Sequence, residues 1–491
     1  MDSSSPLHVL MFPYLAFGHI SPFLQLARKL CAAGDVRITF LSAAANLSRI
    51  QSLLPALPSV TVVPLQLPAL PGLPAGAEST ADLPADSPAV ELLKLAVDGT
   101  RPQVELLLRE LRPHLAVFDF GMHWLPAVAE PLGVRTVFFS VFAAVSTAYF
   151  TVPARRLHGP NPTLEDLKAP PTGFPAGDAS SIRSVPYYQA ANFLYIFKSF
   201  NGGPCLYERV VKCIESCSAI MAKTSVEMEG PYIDYVERQF GKPMLLTGPL
   251  APEPPKGKLE TRWAKWLGGF PKGAVVFSSF GSETFLTDDG ARELLLGLEM
   301  SGLPFLVVLN FPAKRVPGGT NLPGGGGAEE ELRKRLPEGF EERVQGRGIV
   351  HSGWVQQQHI LRHESVGCFV CHAGLSSVME GVVAGCRLVM MPQKGDQYVN
   401  AKLFAGDLGI GVEVERRDED GWFAREAVFA AVRKVMPPPV MTEEDEEESE
   451  NGMWKKVKEK HGKWREFLMN KELQDGYVVE LVERMRKLAN A

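Results

Sequence analysis

Short apolar runs alternate with amphipathic stretches of helix length along the whole chain. His8–Tyr14, Val36–Leu41, Val60–Leu65, Leu115–Phe120 and Arg135–Val141 read as buried strands. Between most of them lie helical patterns such as Pro22–Ala33 and Val90–Arg112. Strand–helix alternation of this kind predicts a parallel, doubly wound sheet. The pattern restarts near Ala274, with Ala274–Phe280, Phe305–Leu309, Gly348–Ser352, Val366–Cys371, Arg387–Met391 and Gly411–Val414 as a second strand series. The Pro-rich stretch Gly248–Gly257 separates the two. The expectation is an α/β chain of two Rossmann-like domains facing across a cleft. The first covers 1–248, a linker 249–262, and the second 263–469. An amphipathic helix in 470–491 is expected to pack back on the first domain.

Composition narrows the function. Lys and Arg number 51 against 56 Asp and Glu in 491 residues, a net charge of −5. That argues against a nucleic-acid surface, which needs a basic excess or stripe. No segment reaches the roughly 18 apolar residues of a membrane span. The start, Met-Asp-Ser-Ser-Ser-Pro, lacks the basic region of a signal peptide. Seven scattered cysteines fit reduced thiols and a cytoplasmic location. Cys368 and Cys371 have CxxC spacing inside an apolar run, which reads as a buried strand. Pro317–Gly327 reads as a surface insertion because it lacks the Gly-Lys-Ser/Thr ending of a phosphate loop. The acidic run Glu443–Glu448 reads as a solvated loop. A monomer is the expectation.

Three places carry candidate chemistry. His19 follows the first strand, at the rim where doubly wound sheets bind ligands. A helix N-terminus beside it disfavours imidazolium, and a neutral imidazole accepts a proton near pH 7. Asp119 ends the fourth strand. In a sheet ordered 3-2-1-4-5 the first and fourth strands are neighbours, so the two residues would meet. An aspartate on one ring nitrogen fixes the tautomer and stabilises charge as the other nitrogen takes a proton. Taken singly, these are also an ordinary turn histidine and a helix cap. No serine or cysteine in a nucleophile elbow accompanies them, so activation of an external hydroxyl fits better than covalent catalysis.

The third place runs from Trp354 to Gln397. His372 ends a strand, and Gly374, Ser376 and Ser377 open a helix, an anion site suited to a diphosphate. Glu380, a turn further on, suits two ribose hydroxyls. Trp354 offers a stacking face for a flat base. Asp396 and Gln397 open the next helix and offer acceptor and donor atoms to sugar hydroxyls. Each has an ordinary alternative as a cap or core residue. Their shared position at strand ends of one domain points to a nucleotide-sugar site.

Trp354–Gln397 closely resembles the signature box of plant UDP-sugar-dependent glycosyltransferases, with the Trp–His, His–Glu and Glu–Asp-Gln spacings in agreement. Ser279-Phe-Gly-Ser282, Leu336–Arg343 and the His19 and Asp119 segments extend the resemblance over practically the whole chain. It implies a GT-B fold and inverting transfer without metal or other cofactor. His19 and Asp119 would be catalytic. Trp354 would stack on uracil, with Val355 and Gln357 by the nucleoside and Glu380 on the ribose. His372, Gly374, Ser376, Ser377 and Ser282 would hold the diphosphate, and Asp396 and Gln397 the sugar. Leu375 and Ser376 depart from the common Trp and Asn, Gln356 from a frequent proline, and Asn310 from arginine. The Leu-Ser-Ser variant, with Phe12–His19 and Tyr149–Arg155, resembles the subgroup that extends sugars already attached to flavonoids.

The acceptor implied is a flavonoid or anthocyanin glycoside, with an aglycone or a terpenoid or steroid glycoside as alternatives. By the same resemblance, Gln397 at the end of the box implies UDP-glucose rather than UDP-xylose or UDP-rhamnose. A non-catalytic nucleotide-sugar binder is the competing class. A nicotinamide oxidoreductase is disfavoured because Gly-x-Gly-x-x-Gly does not follow the first strand. Asp418-Glu-Asp420 spells a metal–diphosphate motif but reads as a charged turn.

Overall fold

The computed structural model describes residues 6–53, 58–83, 87–281, 284–311, 328–436 and 453–491. Two compact units emerge. One comprises Met1–Pro175, Phe193–Leu250 and Asn470–Ala491, the other Ala176–Asn192 and Ala251–Met469. The stretch Ala176–Asn192 thus belongs to the second unit although it lies within the sequence range 1–248. Among the described residues no helix is long and apolar enough to cross a membrane.

The first unit is built on a parallel sheet of β1 (Leu7–Phe12), β2 (Val36–Ala43), β3 (Val60–Leu65), β4 (Leu115–Phe118), β5 (Arg135–Ser140), β6 (Ala219–Ala222) and β7 (Met244–Leu246). Their order is β3-β2-β1-β4-β5-β6-β7. Direction of travel reverses at β1 and β4, where Phe12 pairs with Phe118, so the chain leaves both strands side by side. Pro64 is tolerated in β3 because that strand is an edge. Val9 and Met11 of β1 bury against Ile20, Phe23, Leu26 and Leu30 of the helix Phe17–Ala33. Val478, Leu481, Val482 and Met485 of the helix Lys471–Asn490 join the same cluster. Each such side chain contributes about 1.5–3 kcal/mol on burial, which is what ties the chain's last helix to its first strand.

Helix limits differ from the pattern. The helix expected from Pro22 begins at Phe17, so His19 lies within its first turn. Pro22 removes one ladder hydrogen bond. Burial of Ile20, Pro22, Phe23 and Leu24 offsets that loss. The stretch Val90–Arg112 is two helices, Ala89–Asp98 and Arg101–Leu111, broken at Gly99-Thr100 with Pro102 in the second helix's first turn.

The second unit carries β8 (Val275–Ser279), β9 (Phe305–Val308), β10 (Gly348–His351), β11 (Val366–Cys371), β12 (Arg387–Met390) and β13 (Gly411–Glu413), all parallel, in the order β10-β9-β8-β11-β12-β13. Cys371 pairs with Ser279 on one side and Met390 on the other, so three strand ends lie in a row. Cys368 and Cys371 are buried free thiols within β11. The helix Asp396–Ala401 continues as a π-helical turn, Lys402–Asp407. Ala176–Asn192 is tied to it: the Ser181 N–H donates to Asp407 Oδ1 at 2.6 Å, and Ser181 Oγ donates to the Lys402 carbonyl at 3.3 Å. Pro317–Gly327, Glu443–Glu448 and Ser282 lie outside the described residues.

Candidate active site

In the first unit, His19 Nδ1 lies 2.7 Å from Asp119 Oδ2, joining residues 100 positions apart. The strand order accounts for the meeting, since β1 and β4 are neighbours. Asp119 is 1% exposed, and its carboxylate accepts two backbone N–H groups: Tyr14 N at 3.1 Å on Oδ2 and Phe120 N at 2.7 Å on Oδ1. With both oxygens fixed, the aspartate holds the imidazole in one orientation. Tyr14, Phe120 and Phe142 surround the ring at centroid distances of 5.7, 5.4 and 5.4 Å. This apolar collar lowers the local dielectric and strengthens the His–Asp interaction.

Behind Asp119 the loop is braced by a residue that sequence reasoning did not single out. Arg209 is 1% exposed and forks onto Asp98 at 2.9 and 2.6 Å. It also donates to the Gly121 carbonyl at 3.3 Å and lies 3.0 Å from His123 Nδ1. Cys213 Sγ reaches the Phe120 carbonyl at 3.7 Å. The helix Leu206–Ser216 thereby fixes the turn that follows β4.

In the second unit, Trp354 follows β10 and is 71% exposed, presenting a large open aromatic face. Val355, next along the chain, is buried. Asn310, at the end of β9's strand run, accepts the Gly353 N–H at 2.9 Å and donates to the Gly281 carbonyl at 3.4 Å, which sets the turn before Trp354. Gln356 accepts the Glu260 N–H at 2.7 Å and donates to the Lys258 carbonyl at 3.1 Å. Glu380 receives two amides: Gln357 Nε2 on Oε2 at 2.7 Å and Gln358 Nε2 on Oε1 at 2.9 Å. Sequence reasoning named Gln357 and Glu380, but not Gln358.

His372 leaves β11 into the helix Leu375–Ala384. A Cβ added at Gly374 would lie 2.5 Å from His372 Nε2, and one at Gly281 would lie 3.1 Å from its Cε1. At Gly374 the ring leaves no room for a Cβ, and at Gly281 the contact is tight while φ 73 favours glycine in its own right. Burial pushes the His372 imidazole down to about 4, with the Lys394 ammonium adding to the shift, so the ring is neutral at pH 7. Its Nδ1 is buried without a partner among the described residues. Between His372 and Gly374, Ala373 adopts φ 61, a left-handed conformation held by Asn400 Nδ2 on its carbonyl at 3.1 Å. Ser376 and Ser377 lie in the first turn of the helix, Ser376 exposed, and Leu375 is buried in the position usually Trp.

Asp396 and Gln397 open the following helix as expected, but they face different ways. Asp396 Oδ2 accepts from Asn400 Nδ2 at 2.9 Å. Gln397 turns inward: its Oε1 accepts the N–H groups of Gln393 and Lys394 at 2.9 and 3.2 Å, and its Nε2 donates to Thr284 Oγ1 at 3.3 Å. Gly395 precedes them with φ 54, and its N–H donates to Asn192 Oδ1 at 2.9 Å. Asn192 and Asn400 carried no sequence signal, because a lone asparagine far along the chain belongs to no pattern. Asp420 of the metal-motif candidate is paired with Arg417 and accepts the Trp422 N–H at 3.0 Å.

A family model described as UDP-glucoronosyl and UDP-glucosyl transferase matches residues 272–444. Over 488 residues, 99% of this chain and 98% of the other, the sequence is 52% identical to the anthocyanidin-3-O-glucoside rhamnosyltransferase of Petunia hybrida. It is 37% identical over 489 residues to an anthocyanidin 3-O-glucoside 2''-O-glucosyltransferase of Ipomoea purpurea, covering 99% of both chains. The structure of apo UGT2 from Phytolacca americana superposes with a TM-score of 0.73 at 20% identity, over 99% of this chain and 100% of that one, a likeness of fold. The chain therefore belongs to the plant UDP-glycosyltransferase family, as an enzyme on the GT-B fold.

Proposed function

We propose that this glycosyltransferase adds a sugar to a sugar hydroxyl of a flavonoid glycoside, with inversion at the anomeric carbon. The His19–Asp119 pair carries the reading. With Nδ1–H donated to Asp119, Nε2 is the basic nitrogen that takes the proton of the acceptor hydroxyl. The acceptor oxygen then forms its bond to the anomeric carbon as the bond to UDP breaks, and UDP leaves with the bonding pair. Asp119 stabilises the imidazolium that results.

The second unit supplies the donor side of the proposal. Trp354 stacks on uracil and Glu380 accepts from the ribose hydroxyls. The N–H groups opening the helix Leu375–Ala384 receive the diphosphate. The orphaned His372 Nδ1 supports this, because a phosphate oxygen gives that buried nitrogen a partner. Asp396 takes sugar hydroxyls. No divalent cation enters the reaction, and the engagement of Asp420 by Arg417 supports leaving the metal motif out.

The acceptor class rests on the relatives, both of which are named for anthocyanidin 3-O-glucosides. For the donor, UDP-rhamnose is placed ahead of the glucose suggested by Gln397. That amide is engaged by its own loop and by Thr284, and the relative at 52% identity is a rhamnosyltransferase. The test sets UDP-rhamnose, UDP-glucose and UDP-xylose in competition on an anthocyanidin 3-O-glucoside and on its aglycone, with products read by mass spectrometry. The reading expects rhamnosyl addition to the glycoside. Transfer to the aglycone at equal rate overturns the acceptor class, and a tenfold preference for UDP-glucose restores the sequence expectation.

A further inference from the structure

Resting on the reading of Glu380 as the ribose acceptor, we infer that Gln358 is a positioning residue for nucleotide recognition, acting by fixing the Glu380 carboxylate. The two glutamines treat the carboxylate symmetrically. Gln357 Nε2 donates to Oε2 at 2.7 Å, and Gln358 Nε2 donates to Oε1 at 2.9 Å. A carboxylate offers about four acceptor sites, so each oxygen keeps capacity for a ribose hydroxyl after taking one amide.

The arrangement matters because Glu380 has rotatable bonds and is only half-buried, on the helix Leu375–Ala384. Left alone, its carboxylate would sample several orientations, and binding the nucleotide would cost the entropy of choosing one. Gln357 and Gln358 are consecutive and open the helix Gln357–Leu361, which packs beside the helix carrying Glu380. A donor on each oxygen sets both the position and the plane of the group, as one donor cannot. Gln358 touches neither nucleotide nor sugar in this account. Its whole effect passes through Glu380.

The hydroxyl-specific part of nucleotide binding should therefore depend on Gln358, and the part due to uracil and diphosphate should not. The probes are UDP and 2',3'-dideoxy-UDP, titrated calorimetrically into the full-length protein. Wild type should bind UDP more tightly than the dideoxy analogue. Gln358→Met keeps the length and removes the donor. It should weaken UDP by up to roughly tenfold, the size of the ordering cost of one flexible side chain, and leave the dideoxy analogue within about twofold. Gln358→Glu puts a like charge against Glu380 and should weaken UDP further, again selectively. In kinetics the KM for the UDP-sugar should rise with kcat little changed.

Equal weakening of both probes by Gln358→Met means a general structural role and overturns the inference, as does unchanged discrimination in both variants. Wild type that fails to discriminate the probes overturns the ribose role of Glu380 instead, and the inference falls with it.

Discussion

Asp119 shows how much a single side chain can be asked to do. Its two oxygens serve Tyr14 N, Phe120 N and His19 Nδ1 at once. Asp119→Asn keeps the volume but replaces one acceptor with an amide N–H. Facing His19, that amide would demand an acceptor from Nδ1, turning the imidazole to the tautomer whose Nε2 carries the proton. Turnover should fall by about 10²- to 10⁴-fold while UDP binding stays unchanged. Steady-state kinetics with calorimetric UDP titration check it, and a loss under threefold would remove the tautomer argument. Among residues, His19, Asp119 and the box were legible because their chemistry is typed and their spacing regular. Gln358 and Arg209 were not. A second glutamine in a row has no chemical signature, and Arg209 reaches the Asp119 turn only through the packing of its helix.

Elements were legible where β-branched residues marked them, more than by their length. The six strands of the second sheet fall on the apolar runs predicted for them. In the first sheet β6 (Ala219–Ala222) and β7 (Met244–Leu246) lie outside the predicted runs because Ile220 is their one β-branched residue, whereas the equally short β13 sits among Ile410, Val412 and Val414. The start of the helix Phe17–Ala33 was displaced because Pro22 reads as a first-turn residue, a local preference overridden by core burial. The element that matters most for the donor is the turn from β11 into the helix Leu375–Ala384. Gly374→Ala would drive a methyl to 2.5 Å from His372 Nε2. The ring is hemmed in by Gly281 on its other side, so the turn itself must open. The KM for the UDP-sugar should rise by tenfold or more with the unfolding temperature shifted by only a few degrees. Full donor affinity in this variant would mean that the His372 turn takes no part in binding.

At the scale of the whole molecule, four histidines share one electrostatic fate. Burial pushes His8, His123, His372 and His461 down to about 4, aided by Arg37, Arg209, Lys394 and Arg387 respectively. In the unfolded chain they titrate near 6.5. Between those values the unfolded state binds more protons, so stability rises with pH through this window. It is fully present above about pH 6.5 and lost as the pH falls towards 4. Apparent unfolding temperatures should drop from pH 7 to pH 5, and the drop should be smaller for His461→Phe. An equal drop in wild type and variant would take His461 out of the linkage. Excess chelator should leave turnover unchanged, and an activity lost to it and restored by manganese would return Asp418 and Asp420 to the site. The most direct test of the whole account is the rate of sugar transfer to an anthocyanidin 3-O-glucoside by wild type and His19→Ala at saturating donor, with UDP affinity measured on the same samples. The account predicts a single added sugar on the glycoside with wild type, a rate lower by at least about 10²-fold for His19→Ala, and equal UDP affinities. Transfer by His19→Ala within a few-fold of wild type would contradict it.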